Sequence, residues 1–181
     1  MTARRHRGAT AATLEHQGSR DPDAFDVARR YDRWFDQPWG RWAFAVEAEA
    51  LLRALRPARD VRVLDAGYGT GRFASMLAAQ GAAVVGLDPD PGMLAIATRR
   101  LPGTCARGTI EHLPVRSAAG DVAVAVTVLE FVADPGAALA ELARITRPGG
   151  RIVVAALNPR SQAPREVAGG SSDRGLGTIN S

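Results

Sequence analysis

The residues best suited to chemistry stand together in the run Asp65-Ala66-Gly67-Tyr68-Gly69-Thr70-Gly71, at the end of a mainly apolar stretch beginning at Val61. A glycine loop leaving a strand lets the backbone approach a ligand, and the helix after it presents free amides. A dinucleotide fingerprint needs G-x-G-x-x-G. Here Gly67 and Gly69 are present, but Arg72 occupies the third position and the spacing is G-x-G-x-G. Asp65 discriminates further. A carboxylate at the strand end repels a diphosphate and suits a cationic ligand, one carrying an ammonium or sulfonium group. The next apolar run closes on Asp88, an acid able to accept two hydrogen bonds from ribose hydroxyls. Its other reading is a cap for the following helix, a place that Asp90 fills better.

The elements that must position these residues follow from periodicity. Phe25, Ala28, Tyr31, Trp34 and Phe35 predict one helix, and a second runs from about 40 to 56, after Gln37-Pro38 and before Pro57. From Val61 strands and helices alternate. Strands are expected over 61–66, 83–87, 104–107, 122–129 and 152–157. Helices are expected over 71–80, with Phe73, Ala74, Leu77 and Ala78 on one face, and over 91–101, capped by Asp90. A last helix opens at Asp134-Pro135, turns Leu139, Leu142, Ala143 and Thr146 inward, and stops at Pro148-Gly149-Gly150. Val122 to Leu129 is apolar at nearly every position, as a parallel strand covered on both faces must be. Such alternation predicts a doubly wound α/β fold, a mostly parallel sheet with helices on both faces.

Composition bounds the rest. The 181 residues, 46% of them hydrophobic, fit one domain. Residues 1–21 read as a disordered basic arm, 22–157 as the core with an amino-terminal helical cap (22–56), and 158–181 as a disordered tail. Lysine is absent, the formal net charge is only +4, and the arginines are scattered, so a nucleic-acid partner has little support. No apolar run approaches the ~18 residues of a membrane helix, and the amino terminus lacks the apolar core of a secretory signal. The lone Cys105 excludes an intrachain disulfide, and His6, His16 and His112 are too scattered for zinc, so no metal is expected. A cytoplasmic protein is the default.

Val63 to Gly71 resembles the cofactor loop of class I S-adenosylmethionine-dependent methyltransferases, usually seen as V-L-D-x-G-C-G-T-G. Gly86-Leu87-Asp88 resembles the family's ribose segment, Glu111 with Leu113-Pro114 its adenine-proximal stretch, and Asp121 to Glu130 its fourth strand. Leu142 to Gly150 resembles the helix and fifth-strand entry that follow. Tyr31-Asp32-Arg33-Trp34-Phe35 is similar to the amino-terminal cap of small-molecule members. The resemblance implies a Rossmann-like sheet of order 3-2-1-4-5, S-adenosyl-L-methionine as cofactor and a small-molecule methyl acceptor as partner.

Carried over by position, it puts Asp65, Gly67 and Gly69 at the methionine end of the cofactor and Asp88 at the ribose. Met93 or Pro89 packs near adenine, with Thr109, Ile110 and Glu111 along its edge. Thr127 and Val128 border the transferred methyl, and Tyr31 closes over the site. Four positions depart from the pattern. Tyr68 replaces a small residue, so it must point away from the pocket or crowd it. Thr109 replaces an Asp, Gly120 a Phe, and Phe131 a frequent His. No catalytic residue identifies itself; His112 and Glu130 are candidates by location only. Family members usually finish with a helix and an antiparallel strand pair, which no segment after 157 matches. The expectation is a shortened substrate wall and impaired turnover, or a binding protein without catalysis. An apolar edge on the fifth strand would then favour self-association.

Overall fold

The computed structural model describes residues 22–55 and 59–156. The expected arm (1–21), the helix stop at Pro57 and the expected tail (158–181) lie outside the described residues. The helical pattern at the start resolves into α1 (Pro22–Trp34) and α2 (Pro38–Ala54), with Pro38 in the first turn of α2. Then come β1 (Arg62–Ala66), α3 (Arg72–Ala79), β2 (Ala83–Asp88), α4 (Pro91–Arg100) and β3 (Cys105–Arg107). The series ends with β4 (Gly120–Val126), α5 (Pro135–Ile145) and β5 (Thr146–Ala155). These five strands pair in parallel, in the order β3-β2-β1-β4-β5.

Strand alternation divides the core in two. Val63, Val84, Val122 and Val124 face Leu51, Leu55, Ala74, Leu77 and Ala97, so α2, α3 and α4 cover that side. Leu64, Ala66, Ala123 and Ala125 face Ala138, Leu142 and Ile145 of α5, with Ile110 and Leu113 beside them. The small side chains of Ala123 and Ala125 let α5 lie close to the sheet. Both faces of β1 and β4 are thereby dry, which explains why Val63-Leu64 and Val122 to Val126 are apolar at successive positions.

Three expectations need correction. The β4 strand stops at Val126, not Leu129, because Thr127 turns into the left-handed region (φ 48°) and a single 3₁₀ turn covers Leu129–Phe131. The fifth strand begins at Thr146, immediately after α5, instead of at Ile152. Gly120 pairs with Thr146 but Val122 pairs with Arg151, so Pro148-Gly149-Gly150 lies in a bulge within the strand. Gly150 fits there because a Cβ would come within 2.7 Å of the Asp121 carbonyl oxygen. Finally, α5 buries Ala138, Leu142 and Ile145, while Leu139 is 45% exposed and Ala143 is exposed. Its rotation is set by polar contacts: Glu141 accepts from the Leu113 amide (2.8 Å), and Arg144 donates to the carbonyls of Leu113 (2.9 Å) and Val115 (2.7 Å).

Helix caps behave as the sequence requires. Asp90 accepts from the amides of Gly92 (2.6 Å) and Met93 (3.2 Å) at the start of α4. Asp134 accepts from Ala137 (3.0 Å) at the start of α5. Asp134 lies away from the loop, so Asp134→Ala is expected to lower unfolding free energy in urea by about 1 kcal/mol and to leave ligand binding unchanged. A loss near zero would show that water replaces the cap. The β5 strand ends the sheet among the described residues, with Ile152 and Val154 partly exposed. Among the described residues no helix is long and apolar enough to cross a membrane.

Candidate cofactor site

The site forms at the carboxyl edge of β1, β2 and β4, where the glycine loop leaves the sheet. Gly67, Gly69 and Gly71 all adopt positive φ (94°, 54° and 75°), a conformation that side chains resist. The Leu87 carbonyl accepts from the amides of Gly67 (2.9 Å) and Tyr68 (3.0 Å), and the Asp88 carboxylate accepts from Gly69 (2.7 Å). The loop is thus strapped to the end of β2.

Tyr68 points away from the pocket. Its ring lies on Gly86 of β2, where any Cβ would fall inside the ring, and its hydroxyl reaches Thr104 Oγ1 (2.7 Å). Thr104 gives its one proton to the Leu101 carbonyl (2.7 Å), so Tyr68 is the donor in that pair. Gly86, which the sequence marks only as part of the ribose segment, is what makes room for the large residue in the loop.

Gly67 separates two cavities. The larger, of about 250 Å³, has Leu87, Pro89 and the segment Gly108 to Glu111 on one wall, and Val128, Phe131 and Val132 on the other. The smaller, of about 20 Å³, lies between Tyr31 of α1, Phe35 just after it, the loop residues Gly67 to Thr70, and Val126 with Thr127. Arg72 and Phe73 complete it. Val128 packs on Gly67, where a Cβ would come 2.6 Å from its Cγ2. That placement depends on the left-handed turn at Thr127, which costs a β-branched residue about 1–3 kcal/mol and is held by the Thr127 amide on the Ala155 carbonyl (2.7 Å).

The expected site residues therefore divide. Tyr31, Gly67, Gly69, Thr109, Ile110, Glu111, Thr127 and Val128 line one cavity or the other. Asp65, Asp88 and Met93 line neither. Asp65 is buried beneath the loop, 3% exposed. Burial pushes its carboxyl up to about 8, with the Asp88 carboxylate adding to the effect. Among the described residues no hydrogen-bond donor reaches it. Asp88 turns to the amides of Gly69 and Asp90 (2.9 Å), which partly offset the upward push of burial. Met93 sits in the Asp90 cap. His112 pairs by backbone with Thr109, and Glu130 lies exposed on the 3₁₀ turn.

The sequence reading missed several lining residues: Phe35, Thr70, Arg72, Phe73, Leu87 and Val126. It also did not foresee that Phe131, noted only as a departure, stands 82% exposed on the rim of the larger cavity. Nor did it single out Glu47 of α2, whose carboxyl is raised by burial and then by Glu130. Glu47 and Asp88 in turn help burial to raise the Tyr31 hydroxyl. The Arg72 guanidinium, which lines the smaller cavity, works against these acids.

Comparison with known proteins assigns the fold to its family. Residues 64–154 match the methyltransferase domain family. The chain belongs to it. An uncharacterized methyltransferase of Mycobacterium tuberculosis is 41% identical over 114 residues, covering 62% of this chain and 45% of that protein. The demethylmenaquinone methyltransferase of Beutenbergia cavernae is 37% identical over 150 residues, covering 78% of this chain and 59% of that protein. Among solved structures, an S-adenosylmethionine-dependent methyltransferase of Thermotoga maritima, described as a possible histamine N-methyltransferase, superposes with a TM-score of 0.62 at 35% identity. That match covers 72% of this chain and 58% of the other. The chain spans about half the length of the curated relatives it matches. The class I methyltransferase fold, with its 3-2-1-4-5 sheet, is the fold of this domain.

The fold implies S-adenosylmethionine, and the residues fit it. The buried Asp65 has no donor among the described residues, which is the partner an ammonium would need. The larger cavity is mainly apolar and bordered by peptide groups at Thr109 to Glu111, which suits a flat heterocycle. No cluster of metal-ligating side chains occurs among the described residues.

Proposed function

We propose that this chain holds S-adenosylmethionine and transfers its methyl group to a small-molecule acceptor. The observation that carries the proposal is Asp65: a buried carboxylate under a glycine loop, with no donor among the described residues and an apolar cavity alongside. Asp65 with Gly67 and Gly69 takes the ammonium end. Asp88 keeps lone pairs for ribose beyond its two amide bonds. Thr109, Ile110 and Glu111 border adenine, with Pro89 or Met93 packing near it. Thr127 and Val128 border the reacting methyl, and Tyr31 shields it from solvent.

The bound donor supplies a methyl group on a sulfonium whose departure leaves a neutral thioether. The protein's own contribution is then alignment of the acceptor and exclusion of water, and a general base is optional. The exposed Phe131 on the rim offers the acceptor an apolar face. The named activity of the Beutenbergia relative supports a small organic acceptor. The partly buried lone Cys105 agrees with a reducing cytoplasm.

Calorimetric titration with S-adenosylmethionine, S-adenosylhomocysteine and NAD tests the reading. Saturable binding of the first two and none of the third is expected. Binding of NAD alone, or undiminished affinity in Asp65→Ala, would overturn it.

A further inference from the structure

The helical cap is tied to the loop through a single carboxylate, on a residue that no cofactor motif singles out. Asp32 Oδ1 accepts from the Thr70 hydroxyl (2.7 Å), from Arg72 Nε (2.8 Å) and from Arg100 Nη2 (3.0 Å), which also reaches Oδ2 (3.0 Å). Arg72 continues to the Asp32 carbonyl (2.7 Å) and to Asp36 (3.0 Å), with its guanidinium 5.2 Å from the centre of the Phe35 ring. Arg100 also donates to the Thr70 carbonyl. Four pieces of the fold meet here: α1, the glycine loop, the first residue of α3 and the last residue of α4. Burial works to raise the Asp32 carboxyl, but the donors from Arg72, Arg100 and Thr70 outweigh it and hold it below its ordinary value.

We propose that Asp32 is a positioning residue for the cofactor: it locks α1 so that Tyr31 and Phe35 stay over the smaller cavity, and it fixes the loop at Thr70. The inference rests on the cofactor reading above. Tyr31 is the residue before Asp32, and Phe35 lies three residues after it, so the rotation of α1 decides whether both face the cavity. Asp32 fixes that rotation from two directions, since Arg72 arrives from α3 and Arg100 from α4. Several charge-assisted contacts converging on one carboxylate specify geometry closely. The acid Asp26 on the same helix is different: it is exposed and pairs with Arg29 within α1. It makes a suitable control.

The test measures S-adenosylmethionine affinity by calorimetry and hydrogen exchange of the α1 amides in the protein without ligand. Asp32→Asn is expected to weaken binding by about tenfold or more and to speed α1 exchange. Asp26→Asn is expected to match the wild type in both. In Tyr31→Leu/Asp32→Asn the loss should not exceed the larger single loss, because Tyr31 has already lost its place. Wild-type affinity in Asp32→Asn would overturn the proposal, and so would losses that multiply. Should the wild type itself bind no S-adenosylmethionine, the cofactor reading falls. The lock is then judged by exchange alone, and α1 exchange in Asp32→Asn equal to that in Asp26→Asn overturns it. If Asp32→Asn does not fold, Arg100→Gln, which removes the α4 arm, is measured with the same expected and overturning results.

Discussion

Asp65→Asn is expected to abolish binding of the methyl donor while making the ligand-free protein more stable at alkaline pH. The folded carboxyl has its pKa raised from 3.8 to about 8, chiefly by burial. Between those values the native state keeps a proton that the unfolded chain has lost, so stability falls as pH rises through this window and levels off above it. The destabilisation at pH 8.5 amounts to as much as roughly 5 kcal/mol. An amide of the same shape carries no such cost. The melting temperatures of wild type and Asp65→Asn should therefore be similar below about pH 4 and diverge by pH 8.5, with the variant higher. Binding of a cation should reverse the shift by drawing the ionised form into the site. At pH 6.5 the wild type is expected to release close to one proton per ligand bound, read from the dependence of binding enthalpy on buffer ionisation. Parallel pH profiles for the two proteins would show that Asp65 does not titrate in this range and would remove the electrostatic basis of the site.

Gly86→Ala should be among the most damaging changes to stability that leave every catalytic candidate untouched. The new methyl group would fall inside the Tyr68 ring, which is buried against β2 and fixed by its hydrogen bond to Thr104. Either the strand or the ring must move, at a cost of about 3 kcal/mol or more. Replacing Tyr68 by Cys costs a few kcal/mol on its own, through the cavity it leaves. In that background Gly86→Ala should cost less than about 1 kcal/mol, since the space it needs has been vacated. Urea unfolding of the four proteins measures the coupling. Equal costs in the two backgrounds would mean that the ring does not occupy the place described.

The parts of the site legible in the sequence were those carried by neighbours along the chain. Asp65 with its glycines and Asp88 at the end of its run needed only strand-then-loop logic, because strand ends in an α/β sheet converge at one edge. The caps Asp90 and Asp134 were equally local. Other features were invisible for an equally physical reason. Leu139 is more apolar than Ala138 and so reads as the inward residue of α5, yet the rotation is set by Glu141 and Arg144 against Leu113 and Val115. Thr127 and Val128 read as strand-formers, whereas the chain turns there and Val128 covers Gly67. Tyr68 remained ambiguous until Gly86 was seen across the sheet.

The sequence by itself determined the order of strands and helices and the strand-loop-helix frame, since these depend on periodicity and on residue types a few positions apart. Tertiary structure decided where the side chains point. Asp65 became a proton-holding group only when the loop and the β2 acid closed over it, and Asp32 became the meeting point of α1, Thr70, Arg72 and Arg100 only when helices distant in sequence were packed together. Desolvation and multipartner hydrogen bonding depend on every group within a few ångströms, and no local pattern encodes that neighbourhood.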